Sequence, residues 1–135
     1  MSFRDFLKEQ EESNVGFITD IEKDTVENEN YREVLFTGEQ LQLVIMALKS
    51  GEEIGEEVHE GIDQFFRVDE GSGKVVMDGN ESEIKDGSAF IIPGGTKHNV
   101  VAGEGGLKLY TIYAPPEHPD GTIQKSKEEG EEDGL

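Results

Sequence analysis

The three histidines of this chain are its best candidates for chemistry, and their surroundings differ. His59 follows Glu57 at a spacing of two, so in an extended segment both side chains point to the same face. His98 follows a proline–glycine corner and begins another apolar segment. Two imidazoles and one carboxylate form a facial triad that leaves coordination positions open on a metal, most often iron(II). The three residues offer the ligands of a metal site, but on local sequence alone a surface position of His59 among glutamates is the favoured interpretation, because Glu-x-His pairs also occur by chance in acid-rich chains.

The elements that position these residues are short apolar and β-branched segments separated by turn residues. They cover residues 15–18, 33–36, 41–48, 65–68, 74–77, 89–92, 99–101 and 107–113. Asp78-Gly79 between two such segments is a strong hairpin signal, because glycine and its neighbours tolerate a positive φ. Short segments with glycine-rich separators predict an all-β sandwich or barrel. A parallel sheet is not expected, because the chain has no long helical pattern between these segments.

The spacing over residues 51–98 resembles the two signatures of the cupin superfamily. The first signature is matched by Gly51, Glu57, His59, Gln64 and Gly71. The second is matched by Gly87, Pro93, Gly95 and His98. The resemblance implies an all-β, single-domain cupin, which is a jelly-roll-like antiparallel barrel or double-stranded β-helix, with a short N-terminal helix or arm.

The resemblance also implies a metal shell of Glu57, His59, Gln64 and His98. Three positions depart from the family. Glu57 stands where the family has a histidine, Gln64 where it has a glutamate, and Ala102 where the second signature ends in an asparagine. The shell keeps one formal negative charge, because a carboxylate has changed position. A neutral amide oxygen is a poor ligand, so Gln64 either binds the metal weakly or orients a water or substrate. We expect one divalent transition metal per chain, namely manganese, iron, nickel or zinc.

This resemblance implies a metal-dependent enzyme that acts on a small oxygen-rich molecule by dioxygenase-, isomerase- or decarboxylase-like chemistry. Glu57 is the candidate catalytic residue, as a ligand or a general base. The alternatives are a barrel that binds a small ligand or a metal without turnover, and a purely structural polar core. The resemblance further implies a homodimer. Residues 41–48, apolar on both faces, are either part of the dimer contact or a central strand.

Composition excludes several classes of partner. Asp and Glu outnumber Lys and Arg by 31 to 12, and the net charge of −19 argues against nucleic-acid binding through phosphates. No apolar run approaches the length of a membrane span, and residues 1–6 lack the order of a signal peptide. Without cysteine, no disulfide or thiolate zinc site can form. We expect a cytoplasmic protein with no membrane partner.

Length and composition predict three regions: an N-terminal arm over 1–14, the barrel over 15–122, and an acidic, disordered tail over 123–135. His118 is predicted to be a solvated loop residue, with a position over the barrel mouth as the alternative. Arg67 is predicted to face away from the site and pair with acids, whereas Tyr113 is a candidate for the barrel lining.

Overall fold

The computed structural model describes residues 16–132; the predicted arm lies outside this range. Its elements are α1 (Ile21–Glu27), β1 (Arg32–Thr37), β2 (Gln42–Leu48), β3 (Asp63–Met77), β4 (Asn80–Lys85), β5 (Ala89–Ile92), β6 (His98–Ala114), β7 (Ile123–Gln124) and α2 (Lys127–Glu132). All strand pairs are antiparallel, in the order β4-β3-β6-β2-β1-β7, with β5 also paired to β3. The all-β prediction is confirmed. Over residues 16–132, no helix is long and apolar enough to cross a bilayer.

The two long strands β3 and β6 give the sheet its barrel shape. The sequence predicts separate segments at 65–68 and 74–77, and at 99–101 and 107–113, with glycine-rich turns between them; this is wrong, because each pair of segments forms one continuous strand. The glycines instead allow the strands to come close together: a Cβ on Gly71 would lie 2.3 Å from the backbone oxygen of Gly106. A Cβ on Gly73 would lie 2.2 Å from that of Val101. The register of the pair shifts at these positions, as it does where bulges bend a strand.

The core fills the space enclosed by the sheet with alternate residues of β2, β3 and β6. Val44 and Phe66 are both paired with Thr111, so their side chains share the interior face. The neighbouring Ile45 points to the opposite face and is also buried, on the side where α1 contacts the sheet. Strand β2 is therefore a central strand buried on both faces, which was one of the two interpretations of residues 41–48.

Two local predictions have different outcomes. The predicted hairpin is confirmed, because Asp78 and Gly79 both have positive φ, 48° and 85°, between the paired residues Met77 and Asn80. The predicted strand at 15–18 is wrong over its described part, since residues 16–20 have no regular structure. The chain there leads into α1, where the side chain of Asp20 accepts a hydrogen bond from the N–H of Lys23.

The acidic segment over residues 123–132 contains β7 and α2, in a region for which the sequence predicts a disordered tail. Strand β7 pairs with β1, and Gln124 is completely buried. In α2, Gly130 is buried so tightly that a Cβ there would lie 3.2 Å from the Tyr31 ring. The acidic composition of this segment gives no sign of its few buried residues, because most side chains around them are charged and face water. The boundary between arm and barrel stays a prediction.

Candidate metal centre

Glu57 and His98 lie opposite each other in an isolated antiparallel bridge. The N–H of Glu57 donates to the carbonyl of His98 at 2.8 Å, and the N–H of His98 donates to the carbonyl of Glu57 at 2.9 Å. Residues paired in this way project their side chains to the same face. His59 lies two residues after Glu57 and shares that face. Val58 and Glu60, which flank His59, are exposed. The bridge thus joins the two sequence signatures.

A tight corner at residues 93–96 aligns His98. The N–H of Thr96 donates to the carbonyl of Pro93 at 3.2 Å, and Gly95 adopts a φ of +84°. The N–H of Gly95 donates to the carbonyl of His59 at 3.0 Å. Proline and glycine therefore shape a corner that is bonded directly to the segment carrying the other histidine.

The ligand atoms of Glu57, His59 and His98 lie within 4.8 Å of one another. His59 Nε2 is 2.6 Å from Glu57 Oε2, and the His59 side chain is only 13% exposed, which excludes a surface position for it. His98 is buried, and its Nδ1 is 2.8 Å from the carbonyl oxygen of Thr96. Because a carbonyl oxygen only accepts, Nδ1 of His98 carries the proton and Nε2 keeps a lone pair. This is the tautomer that metal-binding histidines use.

Gln64 lies on the interior face of β3 and is 3% exposed. Its Nε2 donates to Thr111 Oγ1 at 2.9 Å, and the Thr111 hydroxyl donates to the carbonyl of Phe65 at 2.8 Å. The Oε1 of Gln64 is buried and has no hydrogen-bond partner. A buried oxygen without a hydrogen-bond partner destabilises the fold, and an amide oxygen can serve as a ligand of a divalent metal. Glu57, His59 and His98 therefore offer mixed nitrogen and oxygen ligands that fit a metal, and Gln64 offers a further buried oxygen on the barrel interior.

Glu57 and His59 stabilise each other's charged forms. Burial raises the pKa of Glu57, but the hydrogen bond from His59 and the positive charges of His59 and Arg32 outweigh it and lower that pKa overall. The same hydrogen bond raises the pKa of His59, although burial opposes it. A metal at this centre would compete with the proton on Nε2 of His59, so metal uptake would release a proton.

His118 is buried, and its prediction as a solvated loop residue is wrong. Its Nε2 is 3.1 Å from the hydroxyl of Tyr113, whose ring stands edge-on to His59 at 6.0 Å. Burial lowers the pKa of His118 to about 4, and the charge of Arg32 contributes in the same direction. Tyr113 is 3% exposed, which confirms it as part of the barrel lining.

The side chain of Gln42, which the sequence gave no reason to select, holds the loop that carries His118. Its Oε1 accepts from the N–H groups of Glu117 and His118 at 3.1 and 3.0 Å. Its Nε2 donates to the carbonyl of His118 at 2.7 Å. The loop also brings Glu117 Oε1 to 3.9 Å from Nδ1 of His59. The only available signal was a polar residue on the apolar face of β2.

Two arginines differ in their placement. Arg67 pairs with Asp69 at 3.6 Å and is 40% exposed, which confirms the predicted pairing with an acid. Arg32 is buried on the interior side of β1, and this was missed. The alternation of Arg32 with Val34 on a half-buried strand was the signal that could have found it.

Several known proteins are similar to this chain. A family model described as "Cupin domain" matches residues 44–113. The uncharacterized protein YrkC of Bacillus subtilis is 42% identical over 118 residues, which cover 82% of this chain and 63% of that protein. This chain therefore spans less than two thirds of that relative.

Two solved structures are also similar. A crystal structure of a Bacillus halodurans protein is 42% identical, with a TM-score of 0.84, and the match covers 86% of this chain and 93% of that one. A mutant of salicylate 1,2-dioxygenase from Pseudoaminobacter salicylatoxidans, in complex with gentisate, is 27% identical with a TM-score of 0.52. That match covers 56% of this chain and 20% of the dioxygenase.

Proposed function

The chain belongs to the cupin family, and we propose that it acts on a small oxygen-rich molecule at a single divalent transition metal. The observation that carries this proposal is the convergence of Glu57, His59 and His98, whose ligand atoms lie within 4.8 Å of one another. Gln64, with its unpartnered Oε1, is the proposed fourth ligand. Dioxygenase-, isomerase- and decarboxylase-like reactions are all compatible with this centre, and the likeness to a dioxygenase supports the first. A homodimer and a cytoplasmic location stay predictions from the sequence.

When bound at this centre, a divalent metal would polarise a substrate oxygen or activate dioxygen. The chain's own residues supply ligands and a base. Glu57 keeps its negative charge at neutral pH, because the hydrogen bond from His59 and nearby positive charges outweigh burial and lower its pKa. Its carboxylate is therefore available as a ligand or as the base that accepts a proton from the substrate. The carbonyl of Thr96 fixes the His98 ring with Nε2 free.

Tyr113 and His118 restrict the access of water beside His59. Both side chains are buried, and their rings contact each other edge-on with centroids 5.0 Å apart. Burial strongly raises the pKa of Tyr113, so its hydroxyl stays protonated and serves as a hydrogen-bond donor. These two residues are positioned to shape the space in which a substrate would meet the metal.

Elemental analysis of the full chain tests the metal centre. We expect about one metal per chain in the wild type, and loss of that metal in the double variant Glu57→Ala, His59→Ala. The matched control is Glu56→Ala, because Glu56 is exposed and pairs only with Lys97 at 3.4 Å among the described residues. The control should keep its metal. Metal retained in the double variant, or absent from every sample while circular dichroism shows a folded protein, would contradict the proposal.

Turnover separates the enzyme from the alternative of a binding barrel. With the metal-loaded protein, oxygen uptake or consumption of a small organic acid, sugar or diketone should depend on Glu57. A stoichiometric metal with no turnover across that panel would instead support a barrel that binds a ligand or metal without catalysis.

A further inference from the structure

Arg32 places a positive charge inside a protein that carries a net charge of −19. It lies on β1, two residues before the core residue Val34, and is 2% exposed. Its partners across the sheet are Met46 on β2, which is fully buried, and Gln124 on β7. Alternation along the strand therefore directs the guanidinium into the barrel interior.

The guanidinium of Arg32 is not neutralised by a neighbouring acid. Its Nη1 donates to Gln124 Oε1 at 2.6 Å, whereas its Nε is buried without a hydrogen-bond partner. Among residues 16–132, no carboxylate lies within ion-pair distance of it. The Tyr31 ring, 5.1 Å from the guanidinium carbon, offers only a cation–π contact. A buried guanidinium with an unused donor is costly unless an anion completes it.

Arg32 faces the same interior as the candidate metal centre. Burial lowers the pKa of His118, and Arg32 lowers it further. The charge of Arg32 therefore acts on His118, which contacts the Tyr113 ring beside His59, so the guanidinium lies within electrostatic reach of a molecule bound in the same interior.

We propose that Arg32 binds a carboxylate group of the substrate, so that the substrate is a small carboxylic acid whose remaining oxygen atoms reach the Glu57–His59–His98 centre. This inference rests on the proposed function and adds the substrate class to it. A carboxylate matches the planar fork of a guanidinium and satisfies its free donor. The carboxylate also neutralises the buried charge of Arg32. Because the protein surface is acidic and repels anions, the Arg32 guanidinium in the interior is the group that attracts the carboxylate.

An NMR titration of the ¹⁵N-labelled full chain tests the inference. The probes are benzoate and butanoate, compared with benzamide and butanamide, which have similar shapes and no charge. The chain has three arginines, so the Nε–H signal of Arg32 is identified by its absence in Arg32→Lys. We expect the carboxylates to shift this signal and to bind at least tenfold more tightly than the amides.

The variant Arg32→Lys should bind the carboxylates at least tenfold more weakly than the wild type, because lysine keeps the charge and loses the fork. Arg67→Lys is the matched control, since Arg67 is 40% exposed and pairs with Asp69, and it should bind like the wild type. Equal binding of carboxylates and amides by the wild type would overturn the inference, and this comparison needs no variant. Unchanged carboxylate affinity in a folded Arg32→Lys protein would overturn it as well.

Titrations with and without metal separate this inference from the proposed function. Carboxylate binding that depends on Arg32 in a chain that takes up no metal would support the arginine site and reject the metal centre. Metal uptake without carboxylate binding would reject only the role of Arg32.

Discussion

Acidification should destabilise the protein through His118, and substitution of His118 by glutamine should remove this effect. The histidine is 7% exposed, and its Nδ1 is buried without a hydrogen-bond partner. Burial, with a contribution from the charge of Arg32, lowers its pKa from 6.5 to about 4 in the folded protein. Glutamine keeps a polar atom near the hydroxyl of Tyr113 and does not titrate.

The sign and size follow from the two pKa values of His118. Between pH 6.5 and pH 4, the unfolded chain binds a proton at this histidine and the folded chain does not. The free energy of unfolding therefore falls as the pH is lowered through this window, and the contribution is complete above pH 6.5. Each pH unit is worth about 1.4 kcal/mol, so the total loss is at most about 3 kcal/mol.

Urea denaturation followed by circular dichroism, with a chelator present, measures this loss from pH 8 to pH 4. His59 acts in the opposite sense, because its hydrogen bond to Glu57 raises its pKa, so only the difference between wild type and His118→Gln isolates His118. That difference should shift by up to about 3 kcal/mol in favour of the variant as the pH falls. Tyr113→Phe keeps the imidazole and should retain the pH dependence. Parallel curves for wild type and His118→Gln would refute the reasoning.

Two further substitutions test the packing that positions the site, with urea denaturation as the assay. Gly73→Ala should lower the free energy of unfolding by about 1–3 kcal/mol, because its Cβ would lie 2.2 Å from a backbone oxygen. The control Gly105→Ala has no atom within 4 Å of its Cβ and should change the free energy of unfolding by less than about 0.5 kcal/mol. Equal effects of the two substitutions would contradict the close approach of the strands at Gly73. Gln42→Leu should cost about 2–4 kcal/mol, because it leaves two N–H groups and a carbonyl of the loop at 117–118 without partners, and should speed hydrogen exchange there. Exposed Gln40→Leu is its control, and unchanged exchange at 117–118 in Gln42→Leu would contradict the role of Gln42.

The sequence was sufficient to predict the all-β class and the cluster of Glu57, His59 and His98. The class follows from alternation along strands and glycine-rich separators, whereas the cluster was implied by the resemblance of the spacings around glycine and proline to the two cupin signatures. The i, i+2 relation of Glu57 and His59 held because the segment is extended opposite His98. Spacing alone could not show that the Oε1 of Gln64 would lack a hydrogen-bond partner, because this depends on Thr111 in a strand far along the chain.

The predictions that were wrong concern glycines and polar residues whose roles are set by distant partners. Gly71 and Gly73 are residues typical of a turn, but here they allow the paired strands β3 and β6 to approach closely. His118 lies in a proline-rich loop that is polar by composition, and its burial depends on the side chain of Gln42, 76 residues away. Arg32 has the composition of a surface residue, and only its register on β1 places it inside.

The continuity of β3 and β6 affects how the whole protein unfolds. Each long strand pairs with the other on both sides of its bend, so neither half of the barrel can separate while the other half stays intact. We therefore expect all-or-none cooperative unfolding. Because residues that lie far apart in sequence have to meet before these strands pair, folding should be slow, on the order of milliseconds to seconds. His98 begins β6, so the candidate metal centre should form only when the barrel closes, and chain segments on their own should not assemble it.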